Sequence, residues 1–278
     1  MRSMLLPLLL LCPALVLAQT SAKPASPAGS GAFDCLIEPN QRIDIRSPAN
    51  TLIEKVLVDR GAIVHAGDPL VVLDSSVERE ALAGAQQRAE SEAEVRVARA
   101  RADYARDKLR RREDLLSQNY ISSQDRDDSA AELRVAEAEL ALAVDNRRLA
   151  ATESQRLNAV LKQRTLRAPF NGVVTERLQQ PGELAFTGEG SARPILKLAQ
   201  TNPLRVEVVL PVGMMGQVKM GKSAEITPEA PLKGQWQAKV VVVDRVFDSA
   251  SGSFGVRLEL PNPGGEIPAG VRCKVKFP

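Results

Sequence analysis

Histidine is almost absent from this chain of 278 residues, which contains only His65. A Ser-His-Asp triad and a histidine-rich metal site both require a histidine among other reactive groups, and His65 stands alone in a predicted β-hairpin. The sequence also contains no Walker loop, no Gly-x-Gly-x-x-Gly motif and no nucleophile elbow. Three methionines, Met214, Met215 and Met220, are better explained as packing residues than as ligands for a soft metal. We therefore predict a protein that is not an enzyme and that uses no cofactor or metal.

Long hydrophobic runs are scarce, and the longest one lies at the start of the chain. Arg2 precedes an apolar segment from Met4 to Leu17, and Ala18 completes an acceptable cleavage site. This pattern predicts a signal peptide over residues 1–18, followed by a flexible leader rich in Ser, Ala, Pro and Gly over residues 19–32. The apolar run is short for a membrane-spanning helix. We expect an exported protein, and the sequence leaves open whether the segment is cleaved or retained as an anchor.

Proline is missing between Asp74 and Leu166, and this stretch has one glycine, Gly84. Alanine, glutamate, arginine, glutamine and leucine dominate it, and all of them favour helices. We predict a helical hairpin over residues 75–166, with arms at about 76–116 and 122–161 and a tip at about 115–122. Aromatic residues make up only 3% of the chain, which fits a thin, elongated molecule. Helical spacing predicts an irregular antiparallel coiled-coil seam made of Leu82, Ala85, Ala89, Ala93, Val97, Ala100 and Tyr104 against Val135, Ala138, Leu142, Leu149, Leu157 and Val160.

An excess of one charge is also missing from the hairpin. Basic and acidic side chains are equal in number over residues 75–164, whereas a nucleic-acid-binding protein would show a basic excess on one face. We therefore expect no nucleic-acid partner. The local exception is the basic segment Lys108–Arg112, which lies close to the predicted reversal of the chain.

Two β-rich segments on either side of the hairpin are copies of each other. Ser47-Pro48 matches Ala168-Pro169, Gly61 matches Gly182, and Gly67-Asp68 matches Gly188-Glu189, all at one constant offset. In each copy, runs of Val, Ile and Leu are bounded by turn residues. Neither copy can bury its apolar side alone. We predict that residues 47–74 and 167–200 pack face to face as the two halves of one module.

The final segment, residues 201–278, alternates apolar and polar residues as half-buried strands do. We predict strands at 204–210, 223–227, 235–244, 254–260 and 271–277, with a short helical turn within 211–218. The N-terminal segment 33–46 would add a strand and close a small barrel. Closure brings Cys35 close to Cys273, and export permits a disulfide, although two buried thiols are the alternative. The predicted class is α+β and elongated: an antiparallel coiled-coil hairpin inserted in a split β-module, followed by an antiparallel barrel.

The repeated module is similar to the biotinyl or lipoyl carrier fold. In that family a lysine on a tight turn between the two halves carries the cofactor. Here the helical hairpin replaces that turn, and no Met-Lys-Met or Asp-Lys-Ala stands at the junction. A carrier function therefore looks excluded.

The same parts, taken in order, resemble the periplasmic adaptors, or membrane fusion proteins, of the HlyD type. The matching segments are Leu52–Asp74, Leu166–Val174 and Gly252–Gly270. The resemblance implies a subunit similar to efflux adaptors, located in the periplasm, that forms a hexameric ring. It would link an inner-membrane transporter of the RND or ABC type to a TolC-type outer-membrane channel. The chain ends soon after the predicted barrel, so we expect no full membrane-proximal domain. The alternative is a stand-alone periplasmic scaffold or binding protein.

Many such adaptors carry an Arg, then a Leu four residues later, then a Ser seven residues after that at the hairpin tip. This chain has Arg111, Leu115 and Ser122 at the same spacing. The resemblance implies that these residues contact the helical tips of the channel. The simpler alternative is that Arg111 is a solvated charge, Leu115 packs in the seam and Ser122 caps the second helix.

Overall fold

We describe a computed structural model of the chain over residues 31–187 and 193–278. The predicted signal peptide and nearly all of the predicted leader lie outside the described residues, as do Gly188 and Glu189 of the second repeat copy. Within the described ranges, no helix is both long enough and apolar enough to cross a bilayer.

The described segments form fourteen strands and three α-helices. The strands are β1 (Ala32–Pro39), β2 (Arg42–Ile45), β3 (Thr51–Val56), β4 (Ile63–Val64), β5 (Pro69–Leu73), β6 (Thr165–Arg167), β7 (Gly172–Arg177), β8 (Leu184–Ala185), β9 (Leu196–Ala199), β10 (Leu204–Pro211), β11 (Ser223–Pro228), β12 (Trp236–Val243), β13 (Ser253–Leu260) and β14 (Val271–Lys276). The helices are α1 (Ser76–Glu90), α2 (Ala93–Ser117) and α3 (Ser123–Lys162).

Six strands close into an antiparallel barrel in the order β1-β10-β13-β12-β11-β14. Alternate residues point inward because strand side chains have a period of two, and in β10 the inward set includes Leu204, Val206 and Leu210. The predicted barrel is therefore present, and β1 joins it between β10 and β14. The prediction that the whole segment 33–46 joins the barrel is wrong for its later part, because β2 pairs with β9 of the repeat module. The predicted helical turn after β10 is a 3₁₀ turn over Val212–Met214.

Two four-stranded sheets, β2-β9-β7-β4 and β6-β5-β3-β8, form the repeat module. Strands of one copy pair with strands of the other, since Leu52 of β3 lies opposite Leu184 of β8, and Val64 of β4 opposite Gly172 of β7. Both copies contribute to one apolar core. At Gly172 a Cβ atom would lie 2.3 Å from the carbonyl oxygen of Ala199, so only glycine fits there.

The hairpin is inserted in the repeat module between β5 and β6, as predicted, but its first arm is not one helix. The arm is interrupted at Ser91 and Glu92, between α1 and α2, whereas α3 is continuous over Ser123–Lys162. Across the interruption, the Arg147 side chain donates to the Ala89 carbonyl at 3.3 Å and pairs with Glu92 at 3.0 Å. Arg147 therefore satisfies a carbonyl group that the end of α1 leaves without a helical partner.

The predicted seam of the hairpin is wrong beyond the first turns of the first arm. Leu82 and Ala85 are buried as predicted, but Val97 and Leu142 are more than half exposed. Three other predicted seam residues are also largely exposed: Tyr104, Val135 and Leu149. The buried residues of α2 and α3 are instead Val95, Ala98, Ala102, Ala105, Ser129, Ala136 and Ala143. The interruption at residues 91–92 resets the helical phase, so a periodicity extrapolated from α1 falls on the wrong face of α2.

The base of the hairpin is fixed to the repeat module by polar contacts. The Asp74 carboxylate accepts a hydrogen bond from the Ser76 N–H at 3.1 Å at the start of α1, and this bond lowers the pKa of Asp74. Glu78 and Arg164 form an ion pair whose side chains are only 21% and 15% exposed. Together these contacts hold the first turn of α1 against the end of the returning arm.

The joint between the repeat module and the barrel is held by Asn262, which is buried. Its side-chain amide donates to the carbonyl of Thr201 at 3.0 Å and to that of Ile267 at 2.9 Å, and its side-chain oxygen accepts from the Ile267 N–H at 3.1 Å. A buried amide is stable only when such bonds are made. The arrangement fixes the β13–β14 connection against the segment that leads from β9 into β10.

Candidate functional site at the hairpin tip

The chain reverses direction at the tip through a compact, hydrogen-bonded turn. Asn119 adopts a left-handed conformation with φ of 60°. Its N–H donates to the Leu116 carbonyl at 2.9 Å, and the Tyr120 N–H donates to the Leu115 carbonyl at 3.0 Å. This pair of bonds is a Schellman motif, which satisfies the last carbonyls of α2. The tip is therefore a defined structure that presents its side chains at fixed positions.

Ser122 caps the start of α3. Its Oγ accepts from the Asp125 N–H at 3.2 Å and donates to the Asp125 carboxylate at 2.7 Å, while the Ser122 N–H donates to that carboxylate at 3.2 Å. This is a reciprocal capping box, and the hydrogen bond from the Ser122 hydroxyl lowers the pKa of Asp125. The hydroxyl makes both bonds within its own turn, although Ser122 remains exposed.

Arg111 lies exposed on α2, two turns before the reversal. Two nearby cations of the same helix have acidic partners: Lys108 pairs with Glu132 at 2.6 Å and Arg110 with Asp107 at 3.2 Å. Among the residues that the structure describes, no ion pair of Arg111 is found within 4.0 Å. Its guanidinium group can therefore offer several N–H donors to a carboxylate or carbonyl of another molecule.

Leu115 follows Arg111 by one helical turn, so the two side chains lie on the same face of α2. Leu115 is 39% exposed, whereas the adjacent Leu116 is half-buried. Leu115 is therefore not fully buried in the seam, and part of its side chain is available for contact with another molecule. An exposed leucine beside an unpaired arginine gives this face one apolar contact and one directional charged donor.

Tyr120 is a residue of the tip that the sequence motif does not include. It directly follows the left-handed Asn119, and its side chain is 74% exposed. An exposed tyrosine provides a large amphipathic contact at low conformational cost, which is why tyrosine is common in protein interfaces. The signal in the sequence was an aromatic residue next to Asn119 in a chain that has only two tyrosines.

A continuous face of the hairpin leads from the start of α2 to the tip. Exposed apolar side chains occur on it at two levels, Val97 with Leu142 and Tyr104 with Val135. Ion pairs alternate with these levels: Arg101 with Glu139 at 3.4 Å, and Lys108 with Glu132 at 2.6 Å. Spacings of three and four residues along α2 continue this face from Val97 to Arg111 and Leu115. We call it the striped face.

Cys35 and Cys273 lie directly opposite each other on adjacent strands of the barrel, β1 and β14. Their Cα atoms are 4.8 Å apart and their Sγ atoms 2.09 Å apart, which is the separation of a disulfide bond. The bond would join the first and last strands of the barrel. Within residues 31–187 and 193–278, no cluster of three or more His, Cys, Asp or Glu side chains could hold a metal ion.

No protein-family model matches the chain. A curated relative, an uncharacterised protein of Haemophilus influenzae (strain ATCC 51907 / DSM 11121 / KW20 / Rd), is 25% identical over 243 residues, which are 87% of this chain and 56% of that protein. The chain thus spans about half the length of the curated relative it matches.

Solved structures of membrane fusion proteins have the same fold. The structure of MacA from Actinobacillus actinomycetemcomitans superposes with a TM-score of 0.73 at 22% identity, covering 89% of this chain and 78% of that one. The membrane fusion protein Spr0693 from Streptococcus pneumoniae R6 gives a TM-score of 0.63 at 16% identity, covering 90% of this chain and 99% of that one. The order of barrel, split module and hairpin is thus shared with solved proteins across most of this chain.

Proposed function

We propose that this protein is a periplasmic adaptor of the HlyD type in a tripartite efflux or secretion system. It would link an inner-membrane transporter, of the RND or ABC class, to a TolC-type outer-membrane channel, and it would act without catalysis. The signal peptide at residues 1–18 would export it, and its repeat module would be the lipoyl-like domain of such adaptors.

The observation that supports this proposal most strongly is the place of the hairpin. It is inserted between the two copies of one β-module, and the fold matches a solved membrane fusion protein, Spr0693, over 90% of this chain. A stand-alone binding protein would need a ligand site rather than a long polar projection. A scaffold that reaches from one partner to another accounts for both the length and the solvated surface of the hairpin.

At the tip, we propose that Arg111, Leu115 and Ser122 contact the channel, with Tyr120 as a further contact. Arg111 supplies the directional charged donor, and Leu115 and Tyr120 supply apolar area. Ser122 acts mainly through the capping box, which fixes the turn, because its hydroxyl is already bonded to Asp125 at 2.7 Å.

The first test is photocrosslinking in intact cells, with a photoreactive amino acid at position 120. Crosslinks to an outer-membrane channel are expected from the wild-type chain and are expected to be lost in Arg111→Asp. Arg110→Asp is the matched control, because it makes the same charge change one residue away at a side chain paired with Asp107. Equal crosslinking in Arg111→Asp and the wild type, with both folded by circular dichroism, would contradict the tip assignment.

Ser122 is tested by separating its two roles. Asparagine is as good an N-cap as serine, whereas alanine caps poorly. If the role is structural, Ser122→Asn should retain crosslinking at position 120 and Ser122→Ala should weaken it. Loss of crosslinking in both variants would instead assign the hydroxyl to direct contact.

We further propose that the protein forms a hexameric ring in which the striped face packs against a neighbouring hairpin. The two exposed apolar pairs of the striped face, Val97 with Leu142 and Tyr104 with Val135, are seven residues apart along each helix. This is the spacing at which a further helix can pack against them. Val97→Glu combined with Leu142→Glu should lower the assembled mass seen in analytical ultracentrifugation. Val144→Glu, at an exposed valine outside these pairs, is the control and should assemble normally.

A further inference from the structure

One end of the barrel carries two connections that lie side by side. The β10–β11 connection and the β12–β13 connection are joined by a hydrogen bond from the Val212 N–H to the Gly252 carbonyl at 3.0 Å. Pro211 also lies opposite Ser253 in the strand register. The two connections therefore form one continuous edge of the barrel, at the end away from the repeat module.

Five apolar side chains project from this edge, which we call the barrel rim. Val246 is 84% exposed and Met220 is 69% exposed. The full set is Val212, Met215, Met220, Val246 and Phe247. At the other end of the barrel, the described connections 229–235 and 261–270 contain no exposed large hydrophobic residue. Among the described connections of the barrel, exposed large hydrophobic residues are therefore concentrated at the rim.

Packing and hydrogen bonds fix the conformation of the rim. The Phe247 ring packs edge-on against Phe254 of the barrel core, with centroids 6.0 Å apart. In the same connection, Asp248 accepts hydrogen bonds from the Ala250 N–H at 2.9 Å and from the Ser251 hydroxyl at 2.8 Å. These contacts hold Val246 outward, since its neighbours are fixed on the barrel.

Charge and chain direction indicate what covers the rim. The β10–β11 connection carries Lys219 and Lys222 and no acidic residue, and Arg245 precedes Val246 in the other connection, which also holds Asp244 and Asp248. The chain enters the barrel at this end, because Ala32 pairs with Lys276 at the edge of β1 and β14. The first described residues of the chain therefore lie beside the rim.

We propose that the barrel rim docks on the surface of a phospholipid bilayer, with its apolar tips inserted among the headgroups and its lysines beside anionic lipid. The side chains project singly from two connections, and a fluid surface accommodates separate tips better than a groove-binding helix would. Identification of that bilayer as the inner membrane rests on the proposed adaptor function, which directs the hairpin toward the opposite membrane. Binding to lipid is a property of the rim alone.

The test is flotation of the purified mature protein with two kinds of vesicle, one of phosphatidylethanolamine with phosphatidylglycerol and one of phosphatidylcholine. The wild-type protein should bind both and bind the anionic vesicles more tightly. Val246→Asp combined with Met220→Asp should reduce binding to each by at least tenfold. Leu149→Asp is the matched control, since Leu149 is an equally exposed apolar residue on the hairpin, and it should bind as the wild type does.

The lysines give a second measurement that separates charge from insertion. Lys219→Ala combined with Lys222→Ala should weaken binding to the anionic vesicles by about fivefold for each charge, and leave binding to phosphatidylcholine almost unchanged. An equal loss on both kinds of vesicle would contradict the assigned role of the lysines.

Insertion itself can be read from tryptophan fluorescence. The chain has one tryptophan, Trp236, at the start of β12 and so at the other end of the barrel. Lipids brominated in the acyl chains should not quench the wild-type protein but should quench Val246→Trp. Absence of quenching in Val246→Trp, or flotation that survives the double Asp variant, would overturn the proposal.

The rim could instead bind a transporter protein, and the same variants distinguish this outcome. If the wild-type protein binds neither vesicle, while the double Asp variant loses crosslinks to an inner-membrane protein, the lipid proposal is wrong. The adaptor proposal would remain, because it depends on crosslinking at the tip. Conversely, lipid binding with no channel crosslink would support the rim and contradict the adaptor.

Discussion

The barrel and the hairpin bury different kinds of residue. The barrel encloses large side chains on all sides, and Ile37, Leu210 and Leu258 are completely buried. The buried contacts between α2 and α3 consist mainly of alanines, including Ala102 and Ala136, and each helix has a partner on one side only. Because hydrophobic stabilisation scales with the apolar area removed from water, the barrel gains much more per residue than the hairpin does.

This difference has a consequence for function. Alanine seams let helices approach closely, and they leave most of the helical surface free to meet other molecules. The hairpin is therefore held by narrow packing and by contacts between exposed charges, whereas the barrel is a stable support. The comparison predicts that perturbations of similar size should have very different effects in the two regions.

The largest effect is expected from Leu258→Ala in the barrel core. Leu258 is completely buried, and removal of a buried leucine typically lowers the free energy of unfolding by about 2–5 kcal/mol. Val97→Ala on the exposed hairpin surface should change it by less than about 0.5 kcal/mol. Urea unfolding followed by circular dichroism measures both. Similar losses for the two variants would show that the regions do not differ as described.

The next effect concerns closure of the barrel. If Cys35 and Cys273 are bonded, replacing both with alanine should lower the unfolding free energy by about 2–4 kcal/mol, because such a bond would close a long loop of the unfolded chain. Thiol titration of the denatured mature protein, without reductant, should find no reactive thiol in the wild type. Two reactive thiols would mean that the cysteines are adjacent but unbonded.

A smaller effect is expected from Ala102→Leu in the hairpin. Ala102 is completely buried against α3, so a leucine would push the helices apart at a cost of about 1–3 kcal/mol. Ala100→Leu, on the exposed side of the same helix, is the control. Limited proteolysis should cut the hairpin of Ala102→Leu faster while leaving the barrel intact. Equal protection of the two variants would mean that α2 and α3 can separate without loss.

Prediction from the sequence succeeded in the barrel and failed along α2, and the difference between strands and helices explains both results. A strand alternates its side chains strictly between two faces, so Leu204, Val206 and Leu210 revealed the inward face directly. A helical seam must be counted from a known starting point, and the interruption at Ser91 and Glu92 changed the count. No proline or glycine marks that interruption. Residues such as Val97 therefore looked like seam residues but lie on the surface.

At the tip, residue spacing was sufficient to bring Arg111 and Leu115 onto one face, because the i, i+4 relation is a property of any helix. It could not reveal that Arg111 has no ion pair within residues 31–187 and 193–278, since Lys108 and Arg110 are equally basic in the sequence but are paired in the structure. The spacing also could not show whether the Ser122 hydroxyl is free for a partner. In the structure this hydroxyl donates to the Asp125 carboxylate within the first turn of α3.

The smallest expected effect concerns pH at the base of the hairpin, where the hairpin joins the repeat module. The hydrogen bond from Arg164 lowers the pKa of Glu78 below its usual value of 4.5. A carboxylate with a lowered pKa in the folded state contributes stability above its unfolded pKa, and that contribution is lost as the pH falls through the folded pKa. The wild type should therefore be more stable than Glu78→Gln at neutral pH, and the difference should shrink as the pH falls below 4.5.

Glu153 provides the comparison that isolates this effect from general acid sensitivity. The pKa of Glu153 is also lowered, by a hydrogen bond from Arg156, but both side chains are exposed on one turn of α3. Salt should screen the exposed Glu153–Arg156 pair and remove its contribution to stability. The more buried Glu78–Arg164 pair should keep most of its contribution. Urea midpoints of Glu78→Gln and Glu153→Gln, measured at neutral and acidic pH in low and high salt, give the result. A pH-independent difference between the wild type and Glu78→Gln would mean that packing, rather than the ion pair, fixes the hairpin to the module.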